Sequence, residues 1–406
     1  MSTLSLEEYA NNFFFERALD TPQKVLFGSG ISRKVGEYAK SLGTHALLVS
    51  DPGIRDAGHV ASIRSQIEEA AVKVTTYDQS VENPTESSID RCVAVAKDAN
   101  VDLIIGLGGG SSMDTAKGCN FIFSNGGKME DFWGVGKATQ PMLPIIAIPT
   151  TAGTGSECQS FALISNDETH AKMACGDKKA LPRVTLLDPE LTSSQPSVVT
   201  ACTGIDALAH ALESAVTNKR NKESNRHAKI AFRLLNQFLP EVFRDPQNLT
   251  ARGGVLLGAS HAGAAIEKSM LGAAHSMANP LTAKYGIIHG VAVGLSLPFV
   301  MEFNAADKRC AEIYADFART SCLASDAHSE KDASFLLIER VKHLLLLSRL
   351  PVEEMISSIN HKDISELSRE AEKQWTAGFN PRVIKSNDFE ILYHRLFDSM
   401  LSLSPS

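Results

Sequence analysis

Between residues 20 and 190 the chain alternates short β-branched, apolar runs with helical patterns, and this alternation constrains the fold more than any other feature. The runs at 45–50, 72–77, 101–107, 145–149 and 184–188 each end in turn or polar residues, as strands do. Between them, 62–71 and 88–99 carry helical spacing, the second opened by a Thr-Glu-Ser-Ser segment that can supply a cap. Strands separated by helices argue for a parallel sheet, because parallel neighbours need a long crossover. From about 191 the strand-like runs give way to Ala-, Leu- and Glu-rich stretches at 198–216, 225–238 and 333–347, with a last helix near 388–401. A strand end and a proline at 188–192 mark the boundary. The expectation is an α/β N-terminal domain over 1–190 with a parallel, Rossmann-like sheet, followed by an all-α C-terminal domain over 191–406.

A chain of 406 residues exceeds what one core usually serves, which agrees with two domains. Its formal charge of -7 is unfavourable for a phosphate backbone, so no nucleic-acid role is expected. No apolar run reaches the roughly 20 residues of a membrane helix. The N-terminus carries acids where a signal or transit peptide needs positive charge, so a cytoplasmic location is expected. The cysteines at 92, 119, 158, 175, 202, 310 and 322 are odd in number and form no CxxC pair, which suits a reducing compartment and small core residues.

Two glycine clusters compete for a phosphate-binding role. Gly28-Ser29-Gly30 precedes a helical pattern and is followed by Asp51 at the end of the next strand, but lacks the third glycine of the dinucleotide fingerprint. Gly108-Gly109-Gly110-Ser111-Ser112 follows the strand at 101–107 and precedes a helix expected from about Met113. Backbone amides at such a helix start can cradle a pyrophosphate, and this cluster is preferred over two plain turns. The segment 148–157 again sets small and hydroxyl residues after a strand, suited to ribose or nicotinamide. Asp51 would accept from a ribose 2′-hydroxyl and repel a 2′-phosphate, which favours NAD over NADP.

In the second half, Asp206 and His210 stand four apart, one helical turn above each other on the same face. His275 and His289 add two imidazoles. An all-N/O set suits Fe2+, Zn2+ or another divalent ion, and residue type does not choose among them. A lone buried histidine is more often a core residue, but four such donors with room for another ligand would serve as a Lewis-acid site for an alcohol or carbonyl oxygen.

The motifs taken together resemble the iron-containing (group III) alcohol dehydrogenase family over nearly the whole chain. The residues that carry the likeness are Asn83-Pro84-Thr85, the 108–111 cluster with Asp114 and Lys117, Pro-Thr-Thr-Ala-Gly-Thr-Gly-Ser-Glu at 149–157, Lys172, Asp188-Pro189, Gly-x-Asp-Ala-x-x-His-Ala-x-Glu at 204–213, the 275–290 segment and Asn380-Pro381-Arg382. The resemblance implies a nucleotide-binding α/β domain, a helical metal-binding domain, a cleft between them, and a homodimer or larger homo-oligomer. It makes Asp206, His210, His275 and His289 the metal ligands, with iron the family's metal. It places Asp51 at the adenosine ribose, Asn83 and Leu191 near the adenine, Gly110 and Ser111 at the pyrophosphate, and Thr150, Thr151, Gln159, Phe161 and Lys172 along the diphosphate and nicotinamide side. It also makes Gly28–Gly30 a structural turn.

One position departs from the family. Many members carry a histidine beside the nicotinamide, four residues after the first C-terminal metal histidine, where this chain has Asn279. A neutral amide cannot act as a general base near pH 7, so the catalytic base is unassigned. His261 is a substitute by residue type, beside its reading as an ordinary helix residue. Phe161, Ile266 and Trp375 would face the reacting carbon, or else pack in the core, and their apolar character suits a short alcohol, aldehyde or ketone. No dedicated phosphate or carboxylate clamp is evident, and Lys284, Arg382 or a cleft lysine are the candidates by residue type. The expected activity is NAD-dependent, metal-assisted alcohol oxidoreduction. The alternatives are a hydroxyacid/oxoacid transhydrogenase, a polyol-type dehydrogenase, and a catalytically weakened NAD- and metal-binding protein.

Overall fold

The computed structural model describes residues 5–10, 23–169, 171–352 and 358–401. The chain divides into two compact units, Met1–Gln195 and Pro196–Ser406.

The first unit is built on six strands: β1 (Lys24–Phe27), β2 (His45–Val49), β3 (Lys73–Tyr77), β4 (Leu103–Gly108), β6 (Ile145–Pro149) and β9 (Val184–Leu187). All pair in parallel, in the order β1-β9-β6-β4-β2-β3. β2, β4, β6 and β9 are buried along their whole length, which explains why they read as unbroken apolar runs rather than alternating ones. Two cores cover the faces, one around Leu47, Ile104 and Phe121, the other around Leu48, Ile105 and Ile148. Adjacent strand residues thus point to opposite layers.

After β1, the chain visits β2, moves outward to β3, then returns across β2 to β4 and continues to β6 and β9. The direction of winding reverses between β2 and β4, and such switch points are where open α/β sheets bind ligands. The helix Glu86–Ala99 is capped by Thr85, whose hydroxyl accepts from Ser88 N. A smaller sheet of β5 (Gly134–Val135), β7 (Phe161–Ser165) and β8 (Lys172–Gly176) lies outside the sequence expectation. β8, Lys-Met-Ala-Cys-Gly, has no β-branched residue to mark it.

The second unit is helical. Its centre is the helix Ser197–Val216, against which Lys222–Arg244, Leu249–Ser269 and His289–Ala305 pack. The expected helices over 198–216, 225–238, 333–347 and 388–401 correspond to Ser197–Val216, Lys222–Arg244, Glu330–Ser348 and Ser386–Leu401. At Gly290 two helices cross closely: a Cβ there would collide with Cys202 O, so only glycine admits this approach. Six cysteines are buried, but Cys322 is exposed, against the expectation that all seven are core residues. Among the described residues no helix is long and apolar enough to cross a membrane.

Candidate nucleotide groove and metal centre

The groove of the first unit forms where four strands end. Asp51 follows β2, Ser80 follows β3, Gly109–Ser112 follow β4, and Thr150 and Thr151 follow β6; all line one cavity of about 360 Å3. The helix after β4 is Gly110–Asn125, three residues earlier than the sequence suggested, so Gly110, Ser111 and Ser112 form its first turn. Their amides belong to the positive end of a 16-residue helix, suited to an anion. Gly108 has φ +145°, and a Cβ on it would stand 2.6 Å from Ser112 Oγ and 3.0 Å from Asp51 Oδ2. Gly108 thus lets the strand end lie against Ser112 and Asp51, which line the cavity.

Asp51 caps the short helix Pro52–Asp56 through Ile54 N–H at 3.1 Å and accepts from Ser112 Oγ at 2.8 Å. These two bonds hold its carboxylate at the groove, beside Glu82. Ser80 Oγ and Thr150 Oγ1 are buried without a hydrogen-bond partner among the described residues, and both line the cavity. Buried hydroxyls without partners are uncommon in a complete structure and suit a polar ligand.

The other sequence-derived positions surround this groove unevenly. Asn83 N–H donates to Ser111 Oγ at 3.3 Å, and Lys172 Nζ donates to Asn83 Oδ1 at 3.1 Å, so these three are brought together. Gln159 Nε2 donates to Thr154 O at 2.7 Å, bracing the 149–157 loop. Phe161 opens β7, where its carbonyl accepts from Lys117 Nζ at 3.0 Å. Leu191 is a member of the core cluster that includes Leu107 and Ile148 and does not line the cavity. Lys117 is buried and donates to Ser156 O and Oγ at 2.5 and 2.8 Å, while Ser156 Oγ donates to Asp114 at 3.1 Å. Burial lifts the Asp114 carboxyl above its ordinary value against the pull of Lys117 and Lys172. Gly28 to Gly30 are tied to Asp188 through Gly30 N–H at 3.0 Å, a structural turn.

In the second unit, Asp206 and His210 lie one turn apart in Ser197–Val216, His275 is in the first turn of Ala273–Tyr285, and His289 begins His289–Ala305. The three imidazole Nε2 atoms stand 3.3, 3.4 and 3.9 Å from Asp206 Oδ1, for His210, His275 and His289 in that order. Ligands about 2.1 Å from a tetrahedral ion are separated by about 3.4 Å, so the spacing fits a divalent cation. Ligand atoms of Asp206, His210 and His275 all fall within 4.8 Å of one another. Asp206 Oδ1 and His275 Nε2 are buried with no hydrogen-bond partner among the described residues, which is expected of donors that point at an ion. The His289 side chain is 33% exposed against 9% or less for the other three, so the cluster opens on that side.

Burial opposes charge on Asp206, yet the facing imidazoles, His210 foremost, hold its carboxyl below the ordinary carboxylate range. Burial likewise opposes charge on His275, but Glu213 and Asp206 raise it to about 9. A proton thus balances the acids in the cation-free cluster, and a metal would displace it. Asn279 Nδ2 donates to Gln374 Oε1 at 3.0 Å, an amide pair with no titrating group. His261 is fully buried with its Nδ1 2.8 Å from His227 Nδ1, which makes it a packed helix residue bonded to its neighbour rather than a free base. Lys284 pairs with Glu366 and Asp363 at 2.6 and 3.5 Å, and Arg382 donates to Phe303 O over the Phe303 ring, so both anion clamps are already engaged. Ile266 is buried and Trp375 half exposed, edge-on to Phe379. Ser80 is a site neighbour that sequence reasoning missed, while Ser112 and Glu213 stood in the quoted motifs without a role of their own. Glu213 was readable, since positions 206, 210 and 213 form an i, i+4, i+7 stripe.

A parallel sheet with a ligand groove at its switch point, in a chain that also holds a three-histidine, one-carboxylate cluster, defines a nucleotide- and metal-dependent oxidoreductase class. Residues 22–189 match the model of the iron-containing alcohol dehydrogenases, and residues 200–397 match that of the family's C-terminal part. The chain is 33% identical over 361 residues to alcohol dehydrogenase 4 of Schizosaccharomyces pombe, covering 89% of this chain and 84% of that protein. It is 31% identical over 383 residues to the NAD-dependent methanol dehydrogenase of Bacillus methanolicus, covering 93% and 97%. A crystal structure of 1,3-propanediol oxidoreductase superposes with a TM-score of 0.89 at 30% identity, over 92% of this chain and 98% of that one. The chain belongs to the iron-containing alcohol dehydrogenase family and is an enzyme of that family.

Proposed function

We propose that this enzyme interconverts a small alcohol and its aldehyde or ketone, using NAD and one divalent cation held by Asp206, His210, His275 and His289. The observation that carries the reading is the set of buried donors spaced for one ion, with Asp206 Oδ1 and His275 Nε2 facing each other at 3.4 Å and neither hydrogen-bonded among the described residues. When bound, the cation would supply a Lewis acid for the substrate oxygen and the nicotinamide would carry the hydride. Iron is the resident metal in this reading, with zinc compatible with the same N/O donors.

The 1–190 domain holds the nucleotide and the 191–406 domain the metal. Asp51, fixed by Ser112 and Ile54, takes the adenosine ribose hydroxyls and with Glu82 disfavours a 2′-phosphate. Gly110 and Ser111 present amides to the pyrophosphate; Thr150 and Thr151 line the same groove. Asn83 and Lys172 flank Ser111, and Gln159, Phe161 and Leu191 are the remaining cofactor positions of this unit. Asn279 can orient a polar group but cannot take a proton near pH 7, so proton exit runs through water or substrate and cofactor hydroxyls. Relatives named for methanol and 1,3-propanediol, and the engagement of Lys284 and Arg382 elsewhere, support a small uncharged substrate. The enzyme acts in the cytoplasm as a homodimer or larger homo-oligomer.

The test is oxidation of NADH and of NADPH by protein loaded anaerobically with Fe2+ or Zn2+, across short aldehydes, ketones and oxoacids. Metal-dependent turnover of a small carbonyl with NADH preferred is the expected result. NADH binding without turnover on any carbonyl would support instead a nucleotide- and metal-binding role, the reading that Asn279 favours.

A further inference from the structure

Glu213 lies seven residues after Asp206 on Ser197–Val216, on the face that carries Asp206 and His210, and is buried. Its two oxygens are divided between two jobs. Oε2 stands 2.5 Å from His275 Nδ1, and Oε1 accepts from Ala274 N–H at 2.7 Å in the first turn of Ala273–Tyr285. Asn380 reaches the same turn: its Oδ1 accepts from Ala273 N–H at 3.4 Å and from Asn304 Nδ2 at 3.1 Å, while its Nδ2 donates to Asn304 Oδ1 at 2.9 Å. Between them Gly272 is closely enclosed, since a Cβ would lie 3.1 Å from Glu213 Oε1 and 3.2 Å from Asn380 Oδ1.

A carboxylate only accepts, so the hydrogen between Glu213 and His275 sits on Nδ1. Once a metal has displaced the second ring proton, Nε2 is left with its lone pair, and Nε2 is the atom that faces Asp206 Oδ1 at 3.4 Å. Clamped at the ring nitrogen and at the adjoining backbone amide, the imidazole has one tautomer and one direction. We propose that Glu213, braced with Asn380 around Gly272, is a positioning residue that fixes the tautomer and aim of His275 Nε2 and thereby sets the metal affinity of the cluster. The inference rests on the ligand set proposed above.

Glu213→Gln preserves shape but cannot accept at both positions, because one of its two terminal atoms is an NH2. One of the two clamps is therefore lost whichever way the amide turns. The experiment is Zn2+ competition against a chelator on the full chain, with the histidine side-chain 15N spectrum read on the same samples. Expected are a roughly 10–100-fold loss of Zn2+ affinity in folded Glu213→Gln and a mixture of His275 tautomers where the wild type has one. Unchanged affinity and a single Nδ1–H tautomer in Glu213→Gln, with the wild type binding Zn2+, would overturn this inference alone. A wild-type chain that takes up no Zn2+ would overturn the ligand set itself, and this inference with it. Should Glu213→Gln not fold, Glu213→Asp keeps the charge but falls a methylene short of spanning both bonds. It carries the same expectation at smaller size, and unchanged affinity there overturns the inference equally.

Discussion

The two halves of this enzyme prepare ligand sites from different material. In the first unit the groove is built on backbone: the first turn of a helix, entered through a glycine at φ +145° packed under Ser112 and Asp51, and strand ends that bring Asp51, Ser80 and Thr150 around it. In the second unit the site is made of side chains on three helices, converging on Asp206 Oδ1. A backbone site is robust to most side-chain changes yet sensitive to an added Cβ. A side-chain site fails when one donor is removed, because the remaining buried donors are left uncompensated.

The sharpest break should come from Asp206→Ala. It deletes the atom that all three imidazoles face, and we expect metal content near zero with turnover down by about 10³-fold or more. NADH affinity, measured by fluorescence titration, should stay near the wild-type value. Gly108→Ala is the mirror experiment. The strain of a side chain at positive φ, about 1–3 kcal/mol, and its collision with Ser112 and Asp51 should weaken NADH binding by roughly 10–100-fold, while metal content is retained. Loss of metal in Gly108→Ala, or loss of NADH in Asp206→Ala, would erase the distinction.

Asn279→His tests what the helical unit lacks. An imidazole at that position should raise turnover by about tenfold or more, with a new inflection near pH 6–7 in the rate profile. A variant no faster than the wild type at any pH would show that proton exit is not limited there.

Stability separates from chemistry at His227. Burial foremost, then Arg226 and Lys268, holds its imidazole down at about 3, well below the ordinary value of about 6.5. Below pH 6.5 the unfolded chain takes up a proton that the folded His227 refuses until about pH 3. The stability of the folded form is therefore full above pH 6.5 and declines as pH falls toward 3, by at most about 1.4 kcal/mol per unit. His227→Gln should flatten that acid limb, read as urea midpoints between pH 7 and pH 4, with no change in metal content at pH 7. The smallest effect is expected at Met270, which ends Leu249–Ser269 at φ 74°, ψ -173°, a region favoured by glycine. Met270→Gly should stabilise the chain by about 1 kcal/mol in the same assay.

The two units also differ in how far their sequence foretells them. β2, β3, β4, β6 and β9 stand out because a buried parallel strand is a short apolar run bounded by turns, and each was found within two residues of its ends. β8 escaped notice because it has no β-branched residue, whereas β7, Phe-Ala-Leu-Ile-Ser, is such a run and was not assigned. Leu249–Ser269 and His289–Ala305 were not delimited, since both are buried nearly all round, rich in glycine and alanine, and carry no amphipathic stripe. Helical spacing alone joined Asp206 to His210, whereas His275 and His289 come from separate helices and meet only through packing such as the Gly290–Cys202 crossing. The groove residue Ser80 had no signal of its own, and Ser112 was visible only as part of the 108–112 cluster; strand order brings both to Asp51.

The most direct test of the account is anomalous scattering from crystals of Fe2+- or Zn2+-loaded protein, recorded at the metal edge. A single strong peak among Asp206 Oδ1 and the Nε2 atoms of His210, His275 and His289, absent in Asp206→Ala, is the predicted result. A peak on other residues, or one that persists in Asp206→Ala, would contradict it.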